Sequence, residues 1–131
     1  MKTTRRQGLL TLALPFLPAG YFLFAGPPVG EEDADRAKAD RVINIVAERF
    51  SFIPSQIKLT QGEVVELRLR SLDTNHGFRL RDVDVNVVIP KRGKGDARVL
   101  FRAQRKGVFE FECSKPCGAG HTIMRGRIVV E

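Results

Sequence analysis

The sequence is poor in the residues that usually carry chemistry. Its 131 residues include two Cys, two His and no Trp, and one of its two Met residues is the initiator. A chain of this length makes one domain, which excludes a multi-domain catalytic machine. Any chemistry of the folded chain must therefore draw on a very short list of side chains.

The overall composition narrows the fold class. Hydrophobic residues make up 43% of the chain and charged residues 28%, which excludes both a disordered protein and one wholly embedded in a membrane. Twelve Gly and seven Pro are too many for a long helical bundle. These proportions favour a small β-rich domain.

Charge is missing from residues 7–30, and three basic residues precede them. The apolar part, residues 9–25, is close to the length that spans a bilayer, so residues 1–30 are interpreted as a membrane anchor or a signal segment. A retained anchor is favoured over a cleaved signal peptide because the small-x-small cleavage pattern is not convincing, and a buried core helix is the least favoured alternative. Each export interpretation leaves the rest of the chain outside the cytoplasmic membrane, in the periplasm or the extracellular space.

Residues 31–40 are rich in acids and have no large apolar side chain, so we interpret them as a charged linker. The first thirty residues have a formal charge of +3 and the linker has −3, so the whole net charge of +7 belongs to residues 41–131. Lys91, Arg92 and Lys94 are interpreted as part of a solvated hairpin loop rather than as a nucleic-acid site.

Strand-like segments follow one another from residue 41 onward. In residues 63–70, Val65, Leu67 and Leu69 fall on one face, which is typical of a half-buried antiparallel strand. About seven such segments separated by glycine-containing turns predict an all-β sandwich or small barrel. The predicted strands are residues 42–46, 57–59, 64–70, 85–89, 98–102, 108–112 and 127–130.

The scarce residues gather near the C-terminus. Cys113, Cys117, His121 and Met124 lie within twelve residues, directly after a predicted strand. Thiolates and imidazoles bind copper or zinc, and a thioether favours copper. His76 follows another strand in a turn-like segment and could reach the same end of the fold. A mononuclear blue-copper site uses one Cys, so this set suits a binuclear copper centre better.

Other interpretations of the same residues stay open at this point. Cys113 and Cys117 could form a disulfide, which is common in small exported domains. Taken alone, His76 would be a turn histidine and Met124 a core residue. A catalytic Cys–His pair is disfavoured because no oxyanion arrangement or third orienting group is evident.

The pattern Cys-x3-Cys-x3-His-x2-Met with an upstream His-Gly resembles the CuA domain of cytochrome c oxidase subunit II. The similarity extends over nearly all of residues 41–131, through FSFIPSQIKLTQGEVVELRLRSLDTNHGF, VNVVIP and CSKPCGAGHTIMRGRIVVE. The resemblance implies a cupredoxin-like Greek-key β-sandwich or barrel. The N-terminal apolar segment is similar to that of the one-anchor versions of the subunit.

The same resemblance implies six ligands for a CuA centre of two copper ions: two bridging thiolates, two imidazoles, one thioether and one backbone carbonyl. These are Cys113 and Cys117, His76 and His121, Met124, and Lys115. Oxidase subunits commonly have a glutamate at the position of Lys115, and its carboxylate helps to hold a second metal. A lysine keeps the carbonyl but not the carboxylate.

The neighbours of these ligands are candidates for the surroundings of the copper ions. Aromatic and aliphatic residues next to them are expected to form an apolar shell, namely Phe78, Phe109, Phe111 and Ile123. Basic residues near them are expected to surround the copper end of the domain and to serve in partner docking, namely Arg79, Arg81, Arg125 and Arg127.

The resemblance implies a non-catalytic electron-transfer subunit of a cytochrome c oxidase-type oxidoreductase. It would pass electrons from a donor such as a cytochrome to the catalytic subunit I of a heme-copper oxidase. The basic charge of residues 41–131 favours a donor with an acidic surface. The alternatives are a free-standing CuA carrier, an accessory module of another reductase, and a copper-delivery protein. Two tightly held copper ions that share one electron spin would favour electron transfer over copper delivery.

Overall fold

Residues 38–131 form nine strands, and in most of them apolar and polar side chains alternate. The computed structural model describes residues 38–131. Its strands are β1 (Arg41–Glu48), β2 (Ser51–Ile53), β3 (Gln56–Leu59), β4 (Val64–Ser71), β5 (His76–Leu80), β6 (Val85–Ile89), β7 (Ala97–Arg102), β8 (Gly107–Glu112) and β9 (Arg125–Val130). A 3₁₀ turn, His121–Ile123, precedes β9.

The strands form two sheets that pack on one another. One sheet has the order β2-β1-β4-β7 and the other the order β3-β9-β8-β5-β6. All neighbours are antiparallel except β1 with β4 and β3 with β9, which are parallel. The predicted all-β sandwich is confirmed. Within residues 38–131 no helix is long and apolar enough to cross a membrane, and the predicted segment 1–30 lies outside the described residues.

The seven predicted strands are present, and the structure adds β2 and β5. β2 has only three residues, too few for a pattern to emerge. β5 is buried at four of its five positions, so its sequence shows no alternation. His76 is consequently the first residue of a strand rather than part of a turn, and the prediction of its local structure was wrong.

Strand β4 lies in the middle of its sheet. Val65, Leu67 and Leu69 are fully buried, as predicted, but β4 is parallel to β1 and antiparallel only to β7. Its Glu66 is buried as well, and Arg68 Nη2 binds the Glu66 carboxylate at 3.1 Å. The polar face of this strand is therefore partly covered by its own ion pairs.

Residues 90–96 connect the two sheets. β6 pairs with β5 in one sheet, whereas β7 pairs with β4 in the other. The prediction of a hairpin at Lys91, Arg92 and Lys94 is therefore wrong, because a hairpin requires its two strands to pair with each other. The segment crosses from sheet to sheet at one end of the sandwich.

Three aromatic rings occupy the core between the sheets. Phe52 packs edge-to-face on Phe78 and on Phe111, with ring centroids 5.9 and 5.3 Å apart. Phe78 and Phe111 lie 5.0 Å apart, and all three side chains are buried. Such pairs add about 0.5–1.5 kcal/mol each beyond the burial of their area.

One end of the sandwich gathers four connecting segments, which are residues 49–50, 72–75, 90–96 and 113–124. We call it the ligand end. The pairings Ala47 with Ser71, His76 with Ile89, and Glu112 with Arg125 bring the flanking strand ends together there. The segments that carry the scarce side chains therefore meet at one place.

Candidate metal centre

Two cysteine thiols form the middle of the site. Cys113 directly follows β8, and Cys117 lies four residues further along the same loop. Their Sγ atoms are 3.7 Å apart, and both residues are about 5% exposed or less. A disulfide would bring the sulfurs to about 2.05 Å. Both cysteines are free thiols in the structure, so the disulfide interpretation does not describe this state.

Each sulfur has its own imidazole. Nδ1 of His76 lies 3.9 Å from Cys113 Sγ, and Nδ1 of His121 lies 3.8 Å from Cys117 Sγ. His76 is fully buried, whereas His121 is only partly buried in the 3₁₀ turn. The two rings therefore present the same nitrogen to the two sulfurs but differ in their access to solvent.

The two remaining predicted ligands also face the sulfurs. Met124 is fully buried, and its Sδ lies 3.9 Å from Cys117 Sγ. The carbonyl oxygen of Lys115 lies 3.1 Å from Cys113 Sγ. The structure thus brings all six residues of the predicted ligand set together.

The donor set can be tested against metal chemistry. A metal bound to thiolate lies about 2.3 Å from sulfur, so two sulfurs 3.7 Å apart can reach the same ion. The ligand atoms of His76, Cys113 and Cys117 all lie within 4.8 Å of one another. Thiolate and thioether sulfur with imidazole nitrogen selects copper over the harder divalent cations. The residues present fit copper.

Asp73 orients one of the imidazoles, and sequence reasoning missed it. Its Oδ1 lies 2.6 Å from His76 Nε2, so Nε2 carries the proton and Nδ1 is free to bind a metal. The backbone N–H groups of Arg49 and Thr74 donate to the same carboxylate at 2.9 and 2.7 Å. Burial opposes its ionisation, but the hydrogen bonds from His76, Arg49 and Thr74 outweigh burial and lower the pKa of Asp73 to about 2.

Three further hydrogen bonds hold the cysteine loop. Arg49 Nε donates to the Cys117 carbonyl at 2.8 Å, and Ser114 Oγ bonds to Asn86 Oδ1 at 2.6 Å. The backbone N–H of Gly77 points at Cys113 Sγ, 3.4 Å away. Arg49 and Asn86 lie far from the loop in sequence, so no local pattern could have identified them.

Burial also changes the acidity of the thiols. Removal from water, together with the neighbouring Cys113, raises the pKa of Cys117 to about 11. The Cys117 sulfur of the metal-free site is therefore protonated at neutral pH. A metal ion that binds here must displace protons.

The predicted apolar shell is only partly assembled. Phe78 and Phe111 lie in the aromatic core described above, but Phe109 packs on Phe101 at 5.4 Å, with Arg105 over its ring. Ile123 is 74% exposed, and the 3₁₀ turn that carries it has no buried residue. Phe50, missed by the sequence analysis, instead lies against Gly118 and Gly120 of the cysteine loop.

The four predicted docking arginines are all exposed, on or next to the strands of the second sheet. Arg81 pairs with Glu112 at 2.6 Å and lowers the pKa of that carboxyl. Arg127 bonds to Gln56 at 2.8 Å. Arg79 and Arg125 have Glu112 as their partner in the strand register. These arginines line the outer face of that sheet, and an acidic residue lies among them.

Comparison with known proteins places the chain in a family. A family model for the cupredoxin-like domain matches residues 16–130, and the chain belongs to this family. It is 28% identical over 133 residues to cytochrome c oxidase subunit 2 of Thermus thermophilus, a match that covers 94% of this chain and 97% of that protein. The predicted resemblance to this subunit is confirmed.

Two solved structures and a second relative are also similar to this chain. A chain in the cryo-EM structure of a heme-copper terminal oxidase dimer is 29% identical, with a TM-score of 0.59 over 72% of this chain and 67% of that one. The periplasmic domain of subunit II of cytochrome oxidase from Bradyrhizobium japonicum gives a TM-score of 0.64 at 18% identity, over 71% and 85% of the two chains, and shows the same fold. Nitrous-oxide reductase of Ralstonia nicotianae is 32% identical over 93 residues, or 68% of this chain and 14% of the enzyme.

Proposed function

We propose that the chain holds two copper ions in a CuA centre and transfers single electrons, as the electron-accepting subunit of a heme-copper oxidase. The observation that carries this proposal is the pairing of donors. Two buried sulfurs lie 3.7 Å apart, and each has a separate imidazole Nδ1 within 4 Å. A single copper ion would use one sulfur with its imidazole, whereas two sulfurs that each have a separate imidazole suit two copper ions.

The chain's own residues would hold the copper ions and shield them from water. Cys113 and Cys117 would bridge, His76 and His121 would bind one ion each, and Met124 and the Lys115 carbonyl would complete the set as weaker ligands. The copper pair would supply reversible one-electron chemistry. A rigid β scaffold that fixes the ligands in advance lowers the reorganisation that each transfer requires. These groups are ligands in this proposal rather than catalytic groups.

Partners follow from the relatives and from charge. The relatives include subunit 2 of cytochrome c oxidase and a chain of a heme-copper terminal oxidase, which supports a catalytic oxidase subunit as the electron acceptor. The donor would be a protein with an acidic surface, such as a cytochrome, because residues 41–131 have a net charge of +7. Residues 1–30 would anchor the chain, residues 31–40 would link it, and the domain 41–131 would lie in the periplasm or outside the cell.

One alternative has an observation in its favour. Nitrous-oxide reductase matches 68% of this chain, so a module of another reductase would use the same ligand set. A free-standing carrier would share the copper site and lack an oxidase partner. Co-purification of the full chain with a heme-containing subunit from its own membranes would distinguish the oxidase from both.

Copper stoichiometry with electron paramagnetic resonance tests the site. The full chain should bind two copper ions per molecule, and the oxidised form should show one spin spread over both. Cys117→Ser should abolish this signal, because the variant removes one bridging thiolate. Thr122→Ala, at an exposed position of the same loop, is the matched control and should retain it. One labile Cu(I) per chain, or an unchanged signal in Cys117→Ser, would contradict the proposal.

A further inference from the structure

A basic groove lies beside the metal centre and has no role in the function described so far. It has a volume of about 580 Å³ and runs between the end of β4 and the crossover segment 90–96. Charged groups, glycines and one exposed aliphatic side chain line it. They are Arg70, Ser71, Leu72, Arg92, Gly93, Gly95, Asp96 and Arg98.

The charge of the groove is strongly positive. Three arginines and one aspartate line it, and Lys91 and Lys94 are exposed on the same segment. Asp96 is bound by Arg70 through two hydrogen bonds of 2.9 Å. That ion pair, helped by Arg68 and Arg98, lowers the pKa of Asp96 although partial burial opposes the shift. The positive charge around Asp96 would also attract a carboxylate of another molecule.

The crossover segment retains free cations. Within residues 38–131, Lys91, Arg92 and Lys94 make no ion pair, whereas Arg81 on the outer face of the second sheet is neutralised by Glu112. A cation that is already paired contributes less to an approaching partner. Arg70 and Arg98 in the groove are paired with Asp96 and Glu66, so the cations that remain for an acidic surface are Lys91, Arg92 and Lys94.

The groove is also connected to a candidate copper ligand. The Lys91 N–H donates to Asn75 Oδ1 at 2.8 Å, and the Arg92 N–H donates to the Asp73 carbonyl at 3.1 Å. Asp73 in turn bonds to His76 Nε2 at 2.6 Å. His76 is fully buried, while the Asp73 side chain is 31% exposed, so Asp73 links this imidazole to the surface beside the groove.

From these observations we propose that the groove, with the unpaired cations Lys91, Arg92 and Lys94 of its crossover segment, docks an acidic segment of the electron donor next to His76. This inference rests on the proposed electron-transfer function. Leu72, which is 46% exposed in the groove, would supply an apolar contact between the carboxylate contacts. One electron would pass from the donor to the copper ions that His76 and the other ligands would hold, and no covalent bond would change. The path crosses from the docked segment through Asp73 to His76.

Stopped-flow kinetics with the full copper-loaded chain tests the docking site. Reduced flavodoxin, an acidic one-electron protein, serves as the donor. Arg92→Ser combined with Lys94→Ser should lower the bimolecular rate constant about tenfold at low ionic strength and weaken its salt dependence, because charge steering raises association rates by 10- to 1,000-fold. The copper spectrum should not change, because neither side chain contacts the ligands.

Two matched controls remove the same charge elsewhere. Lys58→Ser with Lys106→Ser takes two exposed cations from outside the groove, and Arg125→Ser with Arg127→Ser takes two from the outer face of the second sheet. Both should change the rate constant less than twofold. If either control slows the reaction as much as the groove variant does, the proposed location is wrong.

A second measurement does not depend on electron transfer. Titration of hexaglutamate into the fully reduced chain should shift the NMR signals of the Gly93 and Gly95 amides, and the groove variant should abolish these shifts. Unshifted amides in the unsubstituted chain would overturn the proposal. The absence of any two-copper signal would instead refute the proposed function, so the two failures are distinguishable.

Discussion

A substitution at Gly77 would test the geometry of the metal centre separately from the stability of the domain. It is the second residue of β5, and it faces the cysteine loop at close range. A Cβ at this position would overlap Ser114 Oγ, and it would lie 2.6 Å from Lys115 N and 2.8 Å from Ser114 N. Two of these atoms are backbone, so rotation of a side chain cannot relieve the contact.

The size of the effect follows from these distances. An ordinary contact begins at 3.4 Å, so Gly77→Ala would displace the Lys115 backbone by about 0.8 Å. Metal–ligand distances tolerate only about 0.2 Å. Perturbed support of ligands typically lowers metal affinity 10- to 100-fold. We expect copper affinity to fall at least tenfold, with an altered paramagnetic resonance spectrum.

Competition with a copper chelator measures the affinity, and urea unfolding of the metal-free chain measures stability. Gly62→Ala is the control, because Gly62 has a φ of +96° and nothing within 4 Å. It should reduce the free energy of unfolding by about 1 kcal/mol through backbone strain, with copper affinity unchanged. Unaltered copper affinity in Gly77→Ala would refute the argument that close packing at this glycine positions the ligand loop.

Two further substitutions test the supports of the site. Asp73→Asn removes a negative charge beside His76 and should raise the reduction potential by roughly 40 mV, the equivalent of about 1 kcal/mol for one electron. An unchanged potential in redox titration would mean that this carboxylate does not influence the metal ions. Phe111→Ala should lower the free energy of unfolding by about 3–5 kcal/mol, because its fully buried ring contacts Phe52 and Phe78. Val108→Ala, at a 56% exposed position of the same strand, should change it by less than about 0.5 kcal/mol, and equal losses in urea unfolding would contradict this account.

The ligand set could be predicted because the chain offers so few alternatives. Two Cys, two His and one internal Met are all that the sequence contains, and the structure brings all of them together. Strands with one exposed face, such as β4, show the alternation that sequence patterns detect. β5 does not, since its residues are buried on both sides. Burial of a whole strand removes the pattern on which the prediction depends.

The supports of the ligands could not be predicted in the same way. Asp73 precedes His76 by three residues. An acidic residue at this distance before a histidine is a weak sequence signal for a carboxylate that orients the imidazole. Arg49 binds the Cys117 carbonyl across 68 residues, and its contact exists only because β1 ends beside the cysteine loop. Such contacts depend on the order of strands, which local sequence does not encode.

The point at which the chain joins the domain decides which surfaces are available to partners. The Asp40 N–H donates to the Val64 carbonyl at 2.7 Å, at the start of β4. From there β1 runs for eight residues, roughly 26 Å, and pairs in parallel with β4 over seven of them before Arg49 reaches the ligand end. A segment that precedes residue 38 therefore joins the domain at the end far from the cysteines. A membrane anchor in residues 1–30 would therefore join the domain at the end opposite the basic groove and the partly exposed His121.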